Sequence, residues 1–75
     1  MFNSALFSEI MAVERIIKRK ISLRDAAQQI GISPATLNRL ELGKQIPDIE
    51  TFYKCCQWTE LDMNKFFFIP KPFEL

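Results

Sequence analysis

The fold is decided by LRDAAQQIGISPATLNRL, residues 23–40. Leu23, Ala26, Ala27 and Ile30 recur at three- and four-residue spacing and predict one helical face. Ser22 stands before them as an N-cap, with Asp25 at the third helical position. Gly31 follows, where a residue of positive φ can end a helix. Ser33 and Pro34 then open a second helix, as N-cap and first helical residue. Leu37 and Leu40 give that helix an inner face, and Gly43 ends it. Two short helices that cross steeply need a small residue at their closest approach. They also need a glycine where the chain reverses and an apolar plug from the second helix. Ala27, Gly31 and Leu37 meet those needs in order.

Outward from this pair the punctuation stays helical. On the N-terminal side, Ser4 is expected to cap a helix over residues 5–19. Its stripe is Phe7, Ile10, Val13 and Ile17, widened by Met11 and Ile16. Lys18, Arg19 and Lys20 suit the negative end of that helix dipole. On the C-terminal side, Asp48 caps a fourth helix with an expected inner stripe of Ile49, Phe52, Tyr53 and Cys56. Asp62 caps a short fifth, Met63 to about Phe68, and Pro70 and Pro72 force an extended tail over 69–75. The expectation is an all-α, compact five-helix bundle in one domain spanning 1–75.

Composition narrows the function. The 75-residue chain has two glycines, so a Gly-rich phosphate loop cannot be built. It has no histidine, which removes the usual general base and the commonest metal ligand. Cys55 and Cys56 are neighbours, suited neither to a disulfide framework nor to a metal site, and fit a reducing compartment. Asp25, Asp48 and Asp62 stand at helix starts, where capping or the dipole explains them. No enzyme, no cofactor and no catalytic or metal-binding residue is expected. Neither a signal peptide nor a membrane span is read, so a cytoplasmic location is expected.

Net charge is +1, but its distribution is uneven. Between Arg15 and Lys44 seven cations face only Asp25 and Glu41, and each flank is acidic. A basic middle can put one positive face on a nearly neutral protein.

The segment ISLRDAAQQIGISPATLNRLELGKQIPDIETF resembles the Cro/phage-repressor-like (XRE) helix-turn-helix family. The Ser-Pro-Ala-Thr-Leu opening of helix three carries the likeness, as do the Leu-Glu-Leu-Gly-Lys ending and the Pro-Asp-x-x-Thr-Phe opening of helix four. It covers roughly 21–67 and implies a lambda-repressor-like domain that binds duplex DNA. It also departs from the pattern. Lys20 stands where many members have glycine, and Thr59 and Glu60 replace a usual leucine and glycine. Members often pair a helix-one arginine with the glutamate matching Glu41. Alignment puts Ile16 near that place, leaving Arg15 as a candidate partner.

The resemblance implies that the helix 34–42 enters the major groove with its N-terminus toward the bases. Ser33, Pro34, Ala35, Thr36 and Arg39 then lie at the groove, and Asn38 flanks it. Arg39 can hold guanine O6 and N7, Thr36 can bond a base or cover a thymine methyl, and Ala35 offers apolar contact. Ser22 and Arg24 at the start of helix two, and Lys44 and Gln45 beyond helix three, are assigned to the sugar-phosphate chain. The expected role is a transcriptional regulator, a repressor acting as a homodimer. The alternative is a protein-interaction module or antitoxin-like subunit on the same fold. For the dimer, Phe66 and Phe67 are read as core. Phe68, Ile69 and Phe73 are read as an apolar patch that joins two copies or folds back near Phe2 and Phe7.

Overall fold

A computed structural model describes residues 1–68. The expectations for Ile69 to Leu75, including the extended tail and the places of Ile69 and Phe73, lie outside the described residues. Four helices stand in order: α1 (Ser4–Val13), α2 (Leu23–Ile30), α3 (Pro34–Glu41) and α4 (Ile49–Thr59). A π-helical stretch, Glu14–Arg19, continues α1, and a 3-10 turn, Met63–Phe66, closes the described chain. The all-α class therefore stands. The expected fifth helix is a single 3-10 turn, because Phe67 is already extended at φ −118°, ψ 147°.

The helix starts follow the capping chemistry. Ser22 Oγ accepts the Asp25 N–H, Ser33 Oγ that of Thr36, and Asp48 and Asp62 cap in the same way. Two hydrogen bonds from Thr51 hold the Asp48 carboxyl below its usual range. At the start of α1 the cap is Asn3 rather than Ser4, one residue earlier than expected. Asn3 has both a side-chain acceptor for Leu6 N–H and a backbone N–H bonded to the Phe66 carbonyl.

The core joins all four helices. Ala26, Ala27, Leu37, Leu40 and Cys55 are fully buried, so α2 and α3 cross on two alanines as the turn geometry requires. Gly31 takes φ +92°, and the two N–H groups of Gly31 and Ile32 both close on Ala27 O. An aromatic cluster of Phe2, Phe7, Phe52, Phe66 and Phe67 fills the other end of the molecule. There the chain ends pair: Phe2 and Phe67 form an antiparallel bridge, and Phe68 N–H donates to Met1 O at 2.9 Å. Residues 66–68 thus fold back on the start of the same chain. Burial pushes the Cys55 thiol up to about 12, helped by Cys56, and also raises Cys56. Both cysteines are core residues with little thiolate.

Five expected core positions are corrected. Ile16 and Ile17 are 53% and 63% exposed. A π-helix has more residues per turn than an α-helix, so the apolar stripe of α1 loses register after Val13. Ile49 and Tyr53 are also exposed, and the inner face of α4 is Phe52, Cys55, Cys56 and Trp58. Phe67, expected in the core, is half exposed at the edge of the aromatic cluster. Extended backbone alternates its side chains, so Phe66 and Phe67 cannot both point inward.

Two residues other than glycine hold left-handed backbone: Lys20 at φ 55° and Glu60 at φ 59°. These are the places where the sequence lacks a glycine that its resemblance expects. Each closes a helix, and at Glu60 the following N–H of Leu61 returns to Cys56 O. A side chain there costs about 1 kcal/mol that glycine avoids, less the entropy glycine loses on folding. Glu60→Gly is therefore expected to raise stability by about 0.5 kcal/mol. In urea the midpoint should rise with an unchanged slope. A lower midpoint would mean that Glu60 is not left-handed.

Candidate nucleic-acid interface

The outer face of α3 is polar because its inner face is fully used. Leu37 and Leu40 are fully buried, which leaves Pro34, Ala35, Asn38 and Arg39 outward and Thr36 at the margin. Ser33 is exposed at the N-terminus of α3, where free backbone N–H groups and the helix dipole favour anions.

Four side chains form one connected row on this face. Ser33 Oγ donates to Thr36 Oγ1 at 2.8 Å. Thr36 Oγ1 lies 3.5 Å from Arg39 Nη2. Arg39 Nε donates to Gln45 Oε1 at 2.7 Å. The loop after α3 makes the last contact possible. Gly43 takes φ +72° and Lys44 N–H closes on Arg39 O at 2.9 Å, which turns Gln45 back toward the helix. Of the ten residues assigned to DNA from the sequence, this row unites Ser33, Thr36, Arg39 and Gln45. Pro34, Ala35 and Asn38 share the α3 surface. Ser22 and Arg24 stand exposed at the start of α2, and Lys44 stands exposed beyond Gly43.

The basic middle of the chain splits into two groups. Arg15 is paired with Glu41, and Lys18 and Arg19 with Glu14. Among the described residues Lys20, Arg24, Arg39 and Lys44 have no acidic partner. Three of these four are residues assigned to the interface, whereas Arg15, Lys18 and Arg19 of helix one each have an acidic partner. Their role is structural. The Arg19 guanidinium stacks 4.6 Å over the Trp58 ring, donates to Trp58 O at 2.7 Å and meets Gln29 Oε1 at 3.2 Å. Gln29 Oε1 also accepts the Trp58 indole N–H at 2.9 Å. Sequence reading missed this clamp, which locks the end of helix one to α2 and α4. The only signal was a lone buried-type tryptophan, which needs a partner for its N–H.

The second half of the frame is the Arg15–Glu41 pair. Arg15 Nε and Nη2 hold the two Glu41 oxygens at 2.7 and 2.9 Å, and Nη1 donates to Ile21 O at 3.2 Å. The hydrogen bond to Glu41 raises the Arg15 pKa further. Arg15, not Ile16, reaches this place because the wide π turn takes up one residue before α2. Beside the interface, Phe2, Ile46, Pro47, Ile49, Phe52 and Phe67 line an apolar cleft of about 190 Å³. Among the described residues no group of three or more His, Cys, Asp or Glu could hold a metal ion. No helix there is long and apolar enough to cross a membrane.

Two short helices packed across a glycine turn, the second of them capped, polar and cation-bearing, define a helix-turn-helix domain. The helix-turn-helix family model matches residues 13–63. The chain belongs to that family, the XRE-type helix-turn-helix proteins, which are DNA-binding regulators. Comparisons with curated proteins and with solved structures gave no match.

Proposed function

We propose that this protein is a cytoplasmic, sequence-specific reader of duplex DNA that represses transcription by occluding a promoter. The row Ser33–Thr36–Arg39–Gln45, running along the second helix of the pair and into the loop after it and free of acidic partners, carries the reading. Docked N-terminus first in the major groove, α3 presents Thr36 and Arg39 to base edges and Ala35 to a thymine methyl. The α2 start, with Ser22 and Arg24, lies against one phosphate strand. Asn38 and Lys44 reach the backbone on the other side of the groove.

One such domain covers only a few base pairs, so two copies on a symmetric site supply affinity and specificity. The homodimer contact is drawn from the C-terminal Phe-rich region. Exposed Phe67 and Phe68 stand there, and Ile46 and Ile49 extend the apolar surface toward the interface. The same cleft supports the second reading, an antitoxin-like subunit in which a different protein fills it.

Selection of binding sites from random duplex DNA tests the first reading, and a palindromic consensus supports both specificity and the dimer. Within the consensus, Arg39→Ala is expected to weaken binding by ~1–3 kcal/mol and to relax preference at one base pair. Lys44→Ala is expected to weaken all duplexes alike and to flatten the salt dependence by about one unit of slope. Equal effects of the two changes on every sequence would refute this division of roles.

A further inference from the structure

The position of Gln45 gives it a contact beyond any phosphate that its amide NH2 can reach. Its amide oxygen is committed inside the protein, to the Arg39 Nε–H at 2.7 Å. Gln45 is half-buried, while Arg39 is exposed. A guanidinium has five N–H donors in one plane, arranged as a side edge (Nε and Nη2) and an end edge (Nη1 and Nη2). The side edge of Arg39 faces the chain, with Nε on Gln45 and Nη2 3.5 Å from Thr36 Oγ1. The Thr36 oxygen is itself held by the Ser33 hydroxyl at 2.8 Å. Among the described residues Nη1 has no hydrogen-bond partner, which leaves the end edge available to a ligand.

We propose that Gln45 is a positioning residue for base reading: it fixes Arg39 end-on, so that Nη1 and Nη2 together meet O6 and N7 of one guanine. The proposal rests on the DNA-binding reading above. A long arginine side chain has many rotamers, and only some offer two parallel N–H groups to one base. An acceptor on Nε removes the side-on alternatives and limits the loss of freedom on binding. Gln45 suits this work because its amide holds the guanidinium without adding a negative charge beside phosphates. Its position just past Gly43 lets it reach back to a residue six positions earlier.

The test uses the full chain, free and with the selected duplex, and needs two readouts. The first is the nuclear magnetic resonance signal of the Arg39 Nε–H in the free protein. It is expected to be protected from exchange in the parent and in Gln45→Glu, and to lose protection in Gln45→Ala. The second is binding to duplexes varied at the base pair that Arg39→Ala relaxes. Gln45→Ala is expected to reduce the preference for guanine there by roughly 3–10-fold, a larger loss than on duplexes that lack that guanine. Gln45→Glu keeps the acceptor, so it should keep the guanine preference while weakening every duplex through its charge. A Gln45→Ala protein that loses affinity equally on all duplexes, with guanine preference intact, would overturn the proposal in favour of a phosphate contact. So would an Arg39 Nε–H signal that does not respond to Gln45→Ala. A parent protein with no base preference at all would instead remove the DNA reading, and the Arg39 signal would still decide the Gln45 contact.

Discussion

Phe52→Ala is expected to cost about 3–5 kcal/mol of folding stability. Phe52 is 3% exposed, and its ring lies 5.4–5.7 Å from those of Phe2, Phe7, Phe66 and Phe67. It is the ring that α1, α4, the 3-10 turn and the paired chain ends share. Truncation removes its burial and leaves a cavity that four rings cannot collapse into without moving the chain ends. A domain of this length has a total stability of roughly 4–11 kcal/mol. The loss therefore takes about a quarter or more of it, and at the lower end of that range a large unfolded fraction is expected at physiological temperature. Tyr53→Ala, one position along and 53% exposed, is the control and should stay within about 0.5 kcal/mol of the parent. Urea denaturation of the two variants checks this. A Phe52→Ala protein as stable as Tyr53→Ala would mean that the cluster is not the stabilising centre of the molecule.

The stretch 22–43 was legible almost residue by residue, because its signals are local. An N-cap, a proline at the first helical position and a glycine of positive φ act within a few residues. The structure keeps each of them at Ser22, Ser33, Pro34, Gly31 and Gly43. The outward set on α3 followed from the same certainty, since fixing Leu37 and Leu40 inward fixes Thr36 and Arg39 at or near the surface. What was not legible depends on partners distant in sequence. The π stretch at Glu14–Arg19 leaves no composition signal, and a regular helix was the natural reading of Ile16 and Ile17. Arg19 turns from a helix-end cation into a clamp only because Trp58 lies 39 residues away. The fold-back of Phe66–Phe68 on Met1–Asn3 likewise joins the two ends of the described chain. At Gln45 the sequence placed the residue near the interface but not the hydrogen bond that its amide oxygen accepts from Arg39.

Glu41→Ala is expected to cost about 3 kcal/mol, the lower end for a broken buried pair, because Arg15 keeps a little solvent. The Glu41 side chain is 8% exposed and that of Arg15 is 18%. Without the carboxylate, a largely buried guanidinium would keep only the Ile21 carbonyl. Glu50 and Lys54, an exposed pair on α4 at 3.4 Å, set the contrast, since such a pair contributes only about 0.3–0.5 kcal/mol. The Arg15 pair also has a functional consequence. Glu41 is the last residue of α3, and Arg15 ties it to the end of helix one and to the loop before α2. Loss of either partner frees the angle of α3, so binding to a selected duplex should fall by more than stability alone predicts. Arg15→Ala combined with Glu41→Ala should cost less than the sum of the single changes, by at least about 1 kcal/mol. The register of the π stretch can be tested in the same background. In a regular α-helix, Arg15→Ala with Ile16→Arg would return an arginine to Glu41 and restore stability. With the wide turn at Glu14–Arg19, position 16 faces solvent, and the second change should restore nothing. Recovery of the parental melting temperature by Ile16→Arg would show that helix one is α-helical to its end and that Arg15 does not own the contact.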